Sequence, residues 1–124
     1  MKILTNKNML RIQLEGQEQI WSLKSHIDIP KKNILYTEWC EYFDDWHKYE
    51  LRLPGTYAPG LIAAGSFWTE QGWDFIYVTF PKGFTNPVFK NVFLIETDLK
   101  KYRRIILSLA HTDAQSVLTW MNRR

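Results

Sequence analysis

His26 and Asp28 stand two residues apart in a run that alternates polar and apolar side chains. On a strand they would share a face, the start of a metal site or an acid–base pair. A zinc site needs three or four ligands, and His47 and His111 fall in other segments, so both residues read as ordinary surface polar groups. Cys40 and His47 are the types of a nucleophile and its base. Along a helix their spacing is about 10 Å, beyond hydrogen-bond reach, and Cys40 reads as a structural thiol. Glu38, Glu41, Asp44 and Asp45 resemble a carboxylate cluster, but their spacing gives the solvated face of a helix on which Asp44 can pair with Lys48. No catalytic constellation, metal or cofactor is expected.

Binding chemistry has two other sources. Lys100, Lys101, Arg103 and Arg104 form the densest basic group. Strand alternation sends Arg103 and Arg104 to opposite faces, and the group reads as solvated edge-strand charge that blocks sheet pairing. The six tryptophans, Trp21, Trp39, Trp46, Trp68, Trp73 and Trp120, are many for so small a core. Tryptophan and tyrosine concentrate where one side of a ring packs and the other meets a partner. Trp46 and the loop residues Arg52, Pro54, Gly55, Thr56, Tyr57 and Pro59 are therefore the expected contact surface for a peptide or protein.

The elements that position these residues are mostly strands. Leu10 to Glu15 alternates strictly, Gly16-Gln17 suits a two-residue type II′ turn, and Glu18 to Ile29 is the expected antiparallel partner. Pro30 ends it, and Ile34-Leu35-Tyr36 follows as a third strand. From Glu38 to Glu50 the period changes: Trp39, Tyr42, Phe43 and Trp46 fall at i, i+3, i+4 and i+7, which predicts a short amphipathic helix. Leu53 to Gly60, with two Pro and two Gly, predicts an ordered turn structure. Leu61 to Thr69 and Trp73 to Phe80 make a hairpin across Glu70-Gln71-Gly72. Pro81 to Asn91 reads as a long loop, and Val92 to Thr97 and Tyr102 to Leu109 as the last strands. Thr112-Asp113-Ala114-Gln115 has capping-box form, and Ala114, Val117, Leu118 and Met121 then mark an amphipathic C-terminal helix. Some seven strands and a closing helix make one mainly β domain over residues 1–124.

Composition sets the class. In 124 residues, 45% hydrophobic and 15% aromatic content exclude a disordered chain. Sixteen basic against thirteen acidic residues, net +3, is too balanced for a nucleic-acid footprint, and no nucleic-acid partner is expected. One cysteine excludes an internal disulfide and suits a reducing compartment, so the cytoplasm is the expected location. The opening residues turn polar after Ile3-Leu4, and neither export signal nor membrane anchor is expected.

Seven hairpin-linked strands and a C-terminal helix are the element order of the pleckstrin-homology-like barrel. From Leu14 onward the chain resembles a family of small, uncharacterised bacterial proteins of that class. The resemblance is carried by Leu14-Glu15-Gly16 with Trp21-Ser22-Leu23-Lys24-Ser25, by Arg52 to Phe67, and by Tyr102-Arg103-Arg104-Ile105-Ile106-Leu107 leading to Thr112-Asp113-Ala114. It departs at Pro81 to Asn91, which is longer and more aromatic. The resemblance implies two antiparallel sheets closed by the helix, and no established activity. Lipid-binding pleckstrin-homology domains flank a roomy first hairpin loop with basic residues. Here a tight Gly16-Gln17 turn between Glu15 and Glu18 would set like charge against a phosphate, so membrane contact is not expected from that loop. The expected function is a non-enzymatic interaction module binding a protein or peptide, or a second copy in a homo-oligomer. Membrane recruitment through anionic headgroups is the rival, and an enzyme using Cys40 or the histidines is a third reading.

Overall fold

The computed structural model describes residues 1–22, 24–43, 51–58, 62–69, 72–79 and 89–123, with the backbone alone at 20–22, 41–43, 51–58, 62, 63, 69, 79 and 89–91. Strands β1 (Lys2–Thr5), β2 (Met9–Gln13) and β3 (His26–Pro30) form a three-stranded sheet in that order. Strands β4 (Ile34–Phe43), β5 (Leu51–Ala58), β6 (Ile62–Thr69), β7 (Gly72–Thr79), β8 (Phe89–Thr97) and β9 (Arg104–Ser108) form a six-stranded sheet of order β4-β8-β9-β7-β6-β5. Helix α1 (Gln17–Ser22) joins β2 to β3, and α2 (His111–Met121) follows β9.

The mainly β build and the C-terminal helix match the sequence reading. The barrel does not: the described residues hold nine strands rather than about seven, the large sheet ends openly at β4 and β5, and β7 pairs with β9 in parallel.

Antiparallel pairing of β2 with the strand that follows is as expected, but its register, Leu10 opposite Ile29 and Ile12 opposite Ile27, is not the one a two-residue Gly16-Gln17 turn would set. The alternation buries these four on one face and leaves Arg11 opposite Asp28 on the other. Their connection is not a two-residue turn. Gly16 takes a left-handed φ of 54°, and the Glu15 N–H donates to the Glu18 carboxylate at 2.9 Å, half of a capping box that starts α1. Helix entry thus uses the glycine that the hairpin reading spent on a turn.

The predicted helix from Glu38 is a strand up to Phe43, and 44–50 lie outside the described residues. A register shift between Ile34 and Tyr36 leaves Leu35 without a Cα partner on β8. From Tyr36 to Phe43 the register with β8 does not shift, so the i, i+3, i+4 spacing of Trp39, Tyr42 and Phe43 is coincidental and the β8 ladder decides the strand. The predicted turn from Leu53 is also strand, through Ala58. Pro54 is tolerated because β5 is an outer strand and its register with β6 slips between Arg52 and Gly55. The β6–β7 hairpin appears as expected, with Trp68 opposite Trp73 and Thr69 opposite Gly72. Phe89 to Asn91, read as loop, begin β8.

Asp74 to Val78, Val92 to Ile95 and Arg104 to Leu107 are buried without a break, because the central strands are covered on both faces. One face, with Phe75, Tyr77, Phe93, Ile95, Ile105 and Leu107, packs on the small sheet and on Ala114, Val117 and Trp120 of α2. Each such side chain contributes about 1.5–3 kcal/mol of apolar burial.

The capping box at Thr112 is not formed. The helix starts two residues earlier, with Ala110 at the N-cap and no side-chain cap bond, and the Ser116 hydroxyl donates to the Thr112 carbonyl instead. The C-terminal end is held from outside. Lys31 Nζ donates to the carbonyls of Trp120 and Arg123 at 2.8 and 2.7 Å, and the Trp120 indole N–H donates to the Asn6 carbonyl. No helix among the described residues is long and apolar enough to cross a membrane.

Candidate functional site: a basic cleft at the β8–β9 turn

The β8–β9 turn is stapled from within and from its neighbour. Thr97 donates its hydroxyl to the Tyr102 carbonyl and accepts the Leu99 N–H, while the Asp98 N–H and carboxylate engage the carbonyl and side-chain amide of Asn33. Tyr102 is thereby turned inward, 4% exposed, its ring edge-on to Phe75 and its hydroxyl 2.7 Å from Ser66 Oγ. Lys100 and Lys101 stay outside.

Lys24, just before β3, reaches the same place. Its Nζ lies 5.6 Å from the Tyr102 ring centroid, and that of Lys101 lies 5.8 Å from it. The aromatic face attracts each ammonium, while each ammonium repels the other. Lys24, by hydrogen bonding and by charge, holds the Lys101 amine below its ordinary pKa. These groups border a cleft of about 380 Å³ that His26, Asp28 and Lys100 also line. That volume suits a small ligand, and clustered ammonium groups are point-charge partners for an oxyanion.

The acid in the cleft is already engaged. Arg11 grips Asp28 from β2 with Nε–Oδ1 at 2.6 Å and a second guanidinium nitrogen on Oδ2 at 2.8 Å. Those hydrogen bonds hold the Asp28 carboxyl below its ordinary value against a partial burial that acts the other way, with the charges of Arg11 and His26 adding to the lowering. His26 and Asp28 share a face as their spacing implies, with Nε2–Oδ2 at 3.9 Å. Among the described residues no three His, Cys, Asp or Glu side chains gather as a metal site would need.

The other basic residues of the predicted group are not edge charges. β9 is an interior strand, and Arg104 reaches the fully buried Asp74 across the β7–β9 pair at 2.9 Å, with Arg103 Nε at 3.1 Å from the same carboxylate. Arg103 and Arg104 thus serve packing, and Lys100 and Lys101 are left to the cleft. Lys24 was absent from the predicted group because it lies 77 positions from Lys101, and no local pattern links them.

Cys40 lies half-buried on β4. Burial, then the charge and hydrogen bonding of Glu38, push its thiol up to about 11, which leaves little thiolate at neutral pH. His111 packs edge-on against Trp39 at 5.5 Å. Of the predicted contact surface, Trp46 and Pro59 lie outside the described residues, as does His47. The backbone places Arg52, Pro54, Gly55, Thr56 and Tyr57 on the outer strand β5. A second groove, of about 500 Å³, lies between the β1–β2 turn and the end of α2, where Lys31 is committed to helix carbonyls.

Comparison with family models, with curated proteins and with solved structures finds no match to this chain.

Proposed function

We propose that this chain is a non-enzymatic, pleckstrin-homology-like binding module whose cleft between β3 and the β8–β9 turn holds a phosphate-class oxyanion. One observation carries the reading: Lys24 and Lys101 converge on the Tyr102 ring with Lys100 and His26 at the rim. An oxyanion between the two ammonium groups turns their repulsion into two charge-assisted hydrogen bonds. The mainly β build in two sheets and the helix packed after the last strand support the pleckstrin-homology-like part.

The sequence argument against anionic ligands rested on a tight Gly16-Gln17 turn. In its place stands a connection through α1 that leads to Lys24, so that objection falls. The raised thiol pKa weighs against Cys40 as a nucleophile.

The test compares inorganic phosphate with vesicles carrying anionic or only zwitterionic headgroups, each at low and high salt. Salt-sensitive binding of phosphate and of anionic vesicles, lost in Lys24→Gln with Lys101→Gln, supports an oxyanion site that reads headgroups. Phosphate binding without vesicle binding supports the same site for a free ligand. Absence of both at low salt overturns the reading.

A further inference from the structure

Strand β4 is the outer strand of the six-stranded sheet and pairs with β8 on one side. Ten residues of edge present about 33 Å of backbone. Edges of this kind are normally blunted by Lys, Pro or a bulge. The other outer strand, β5, has such protection: Pro54 sits in its slipped register between Arg52 and Gly55. β4 contains neither Lys nor Pro, and its one bulge turns apolar surface outward, with Leu35 64% and Tyr36 47% exposed.

The chemistry of the edge selects its occupant. Tyr36 and Glu38, two apart, share a face and hydrogen-bond to each other, and Glu96 on β8 stands opposite Tyr36. Glu38 is exposed, and the charged residues of β4 are Glu38 and Glu41 alone, in a chain whose net charge is +3. A second copy paired antiparallel through β4 would bring further carboxylates and no cation to this edge. A strand carrying Lys or Arg would instead set its cations against Glu38, Glu96 and the Tyr36 ring, and an apolar residue against Leu35.

We infer that the β4 edge captures an extended, basic segment of another polypeptide by antiparallel strand addition, reading alternating Lys/Arg and apolar side chains along Leu35, Tyr36 and Glu38. Main-chain hydrogen bonds supply affinity and the acidic strip supplies selectivity. This site is independent of the oxyanion cleft, and failure of either leaves the other standing.

A ten-residue peptide alternating lysine and valine, labelled for fluorescence anisotropy, tests it directly. The unmodified protein binds this peptide saturably and binds its glutamate–valine counterpart at least about tenfold more weakly. Glu38→Lys weakens binding of the lysine peptide by a similar factor. The same peptide with alternate backbone amides N-methylated keeps its charge but cannot form a ladder, and it loses binding to the unmodified protein. That last measurement does not depend on how any variant folds. Equal binding of the methylated peptide, equal binding of the glutamate peptide, or no binding of the lysine peptide each overturns the inference.

Discussion

Asp74 on β7 and Arg104 on β9 stand opposite each other across a parallel strand pair, guanidinium nitrogen to Oδ2 at 2.9 Å, with the acid fully buried. Arg103 completes the group from the residue just before β9, again at Asp74. A buried carboxylate of this kind is costly to place and more costly to leave half-assembled.

Asp74→Ala removes the buried carboxylate that Arg103 and Arg104 share, with Arg104 itself 8% exposed. The expected loss is about 3–5 kcal/mol of folding stability. Urea denaturation followed by circular dichroism checks it, and a loss under about 1 kcal/mol would show that the group is incidental.

The Arg11–Asp28 pair behaves differently because it faces solvent. The Asp28 carboxyl sits below its ordinary 3.8, chiefly through the Arg11 hydrogen bonds. A lowered folded pKa means that the pair's contribution is fully present above the unfolded value and disappears as pH falls through the folded one. Asp28→Asn is therefore expected to lower the melting temperature slightly at pH 7, and the gap from the unmodified protein closes as pH drops below 3.8. A gap that widens in acid contradicts the assignment.

Cys40, with its thiol near 11, holds a thiolate fraction on the order of 10⁻⁴ at pH 7. Iodoacetamide alkylation of the folded protein should be slow and should accelerate about tenfold per pH unit through pH 10. Glu38→Gln removes one of the causes and speeds alkylation at pH 8. A rate that levels off near pH 8 would contradict this environment for the thiol.

Lys31 caps the end of α2 across 89 residues of sequence, and its Nζ also lies 4.8 Å from the Trp120 ring centroid. Lys31→Met keeps the apolar stem and removes the donor, at an expected cost of about 1–2 kcal/mol. Amide hydrogen exchange should show the loss first in the last turn of α2. Unchanged protection there would show that the helix end does not depend on the cap.

What could be read from the sequence was local and in phase. The inward face of β2 with Leu10 and Ile12, and the amphipathic α2, follow from period-two and period-3.6 patterns, and the β6–β7 hairpin from two apolar, β-branched runs around Gly72. The readings fail where a partner strand overrides the local pattern. The ladder to β8 makes a strand of Trp39, Tyr42 and Phe43 despite their helical spacing, and the slip between Arg52 and Gly55 let an outer strand keep a proline. Gly16 marked a break correctly, but Glu18 reaching back to the Glu15 N–H makes it a helix start. The cleft was half legible: Lys100 and Lys101 stood out as a charge cluster, whereas Lys24 joins them only through the folded approach of the α1–β3 connection to the β8–β9 turn.

Titration with inorganic phosphate at low salt, followed by amide chemical-shift mapping, tests the oxyanion cleft most directly. The expected result is saturable shifts confined to Lys24 through Asp28 and Leu99 through Tyr102, abolished by Lys24→Gln with Lys101→Gln while the remaining spectrum is preserved. Shifts spread evenly over the surface lysines, or unchanged in that double variant, would contradict it.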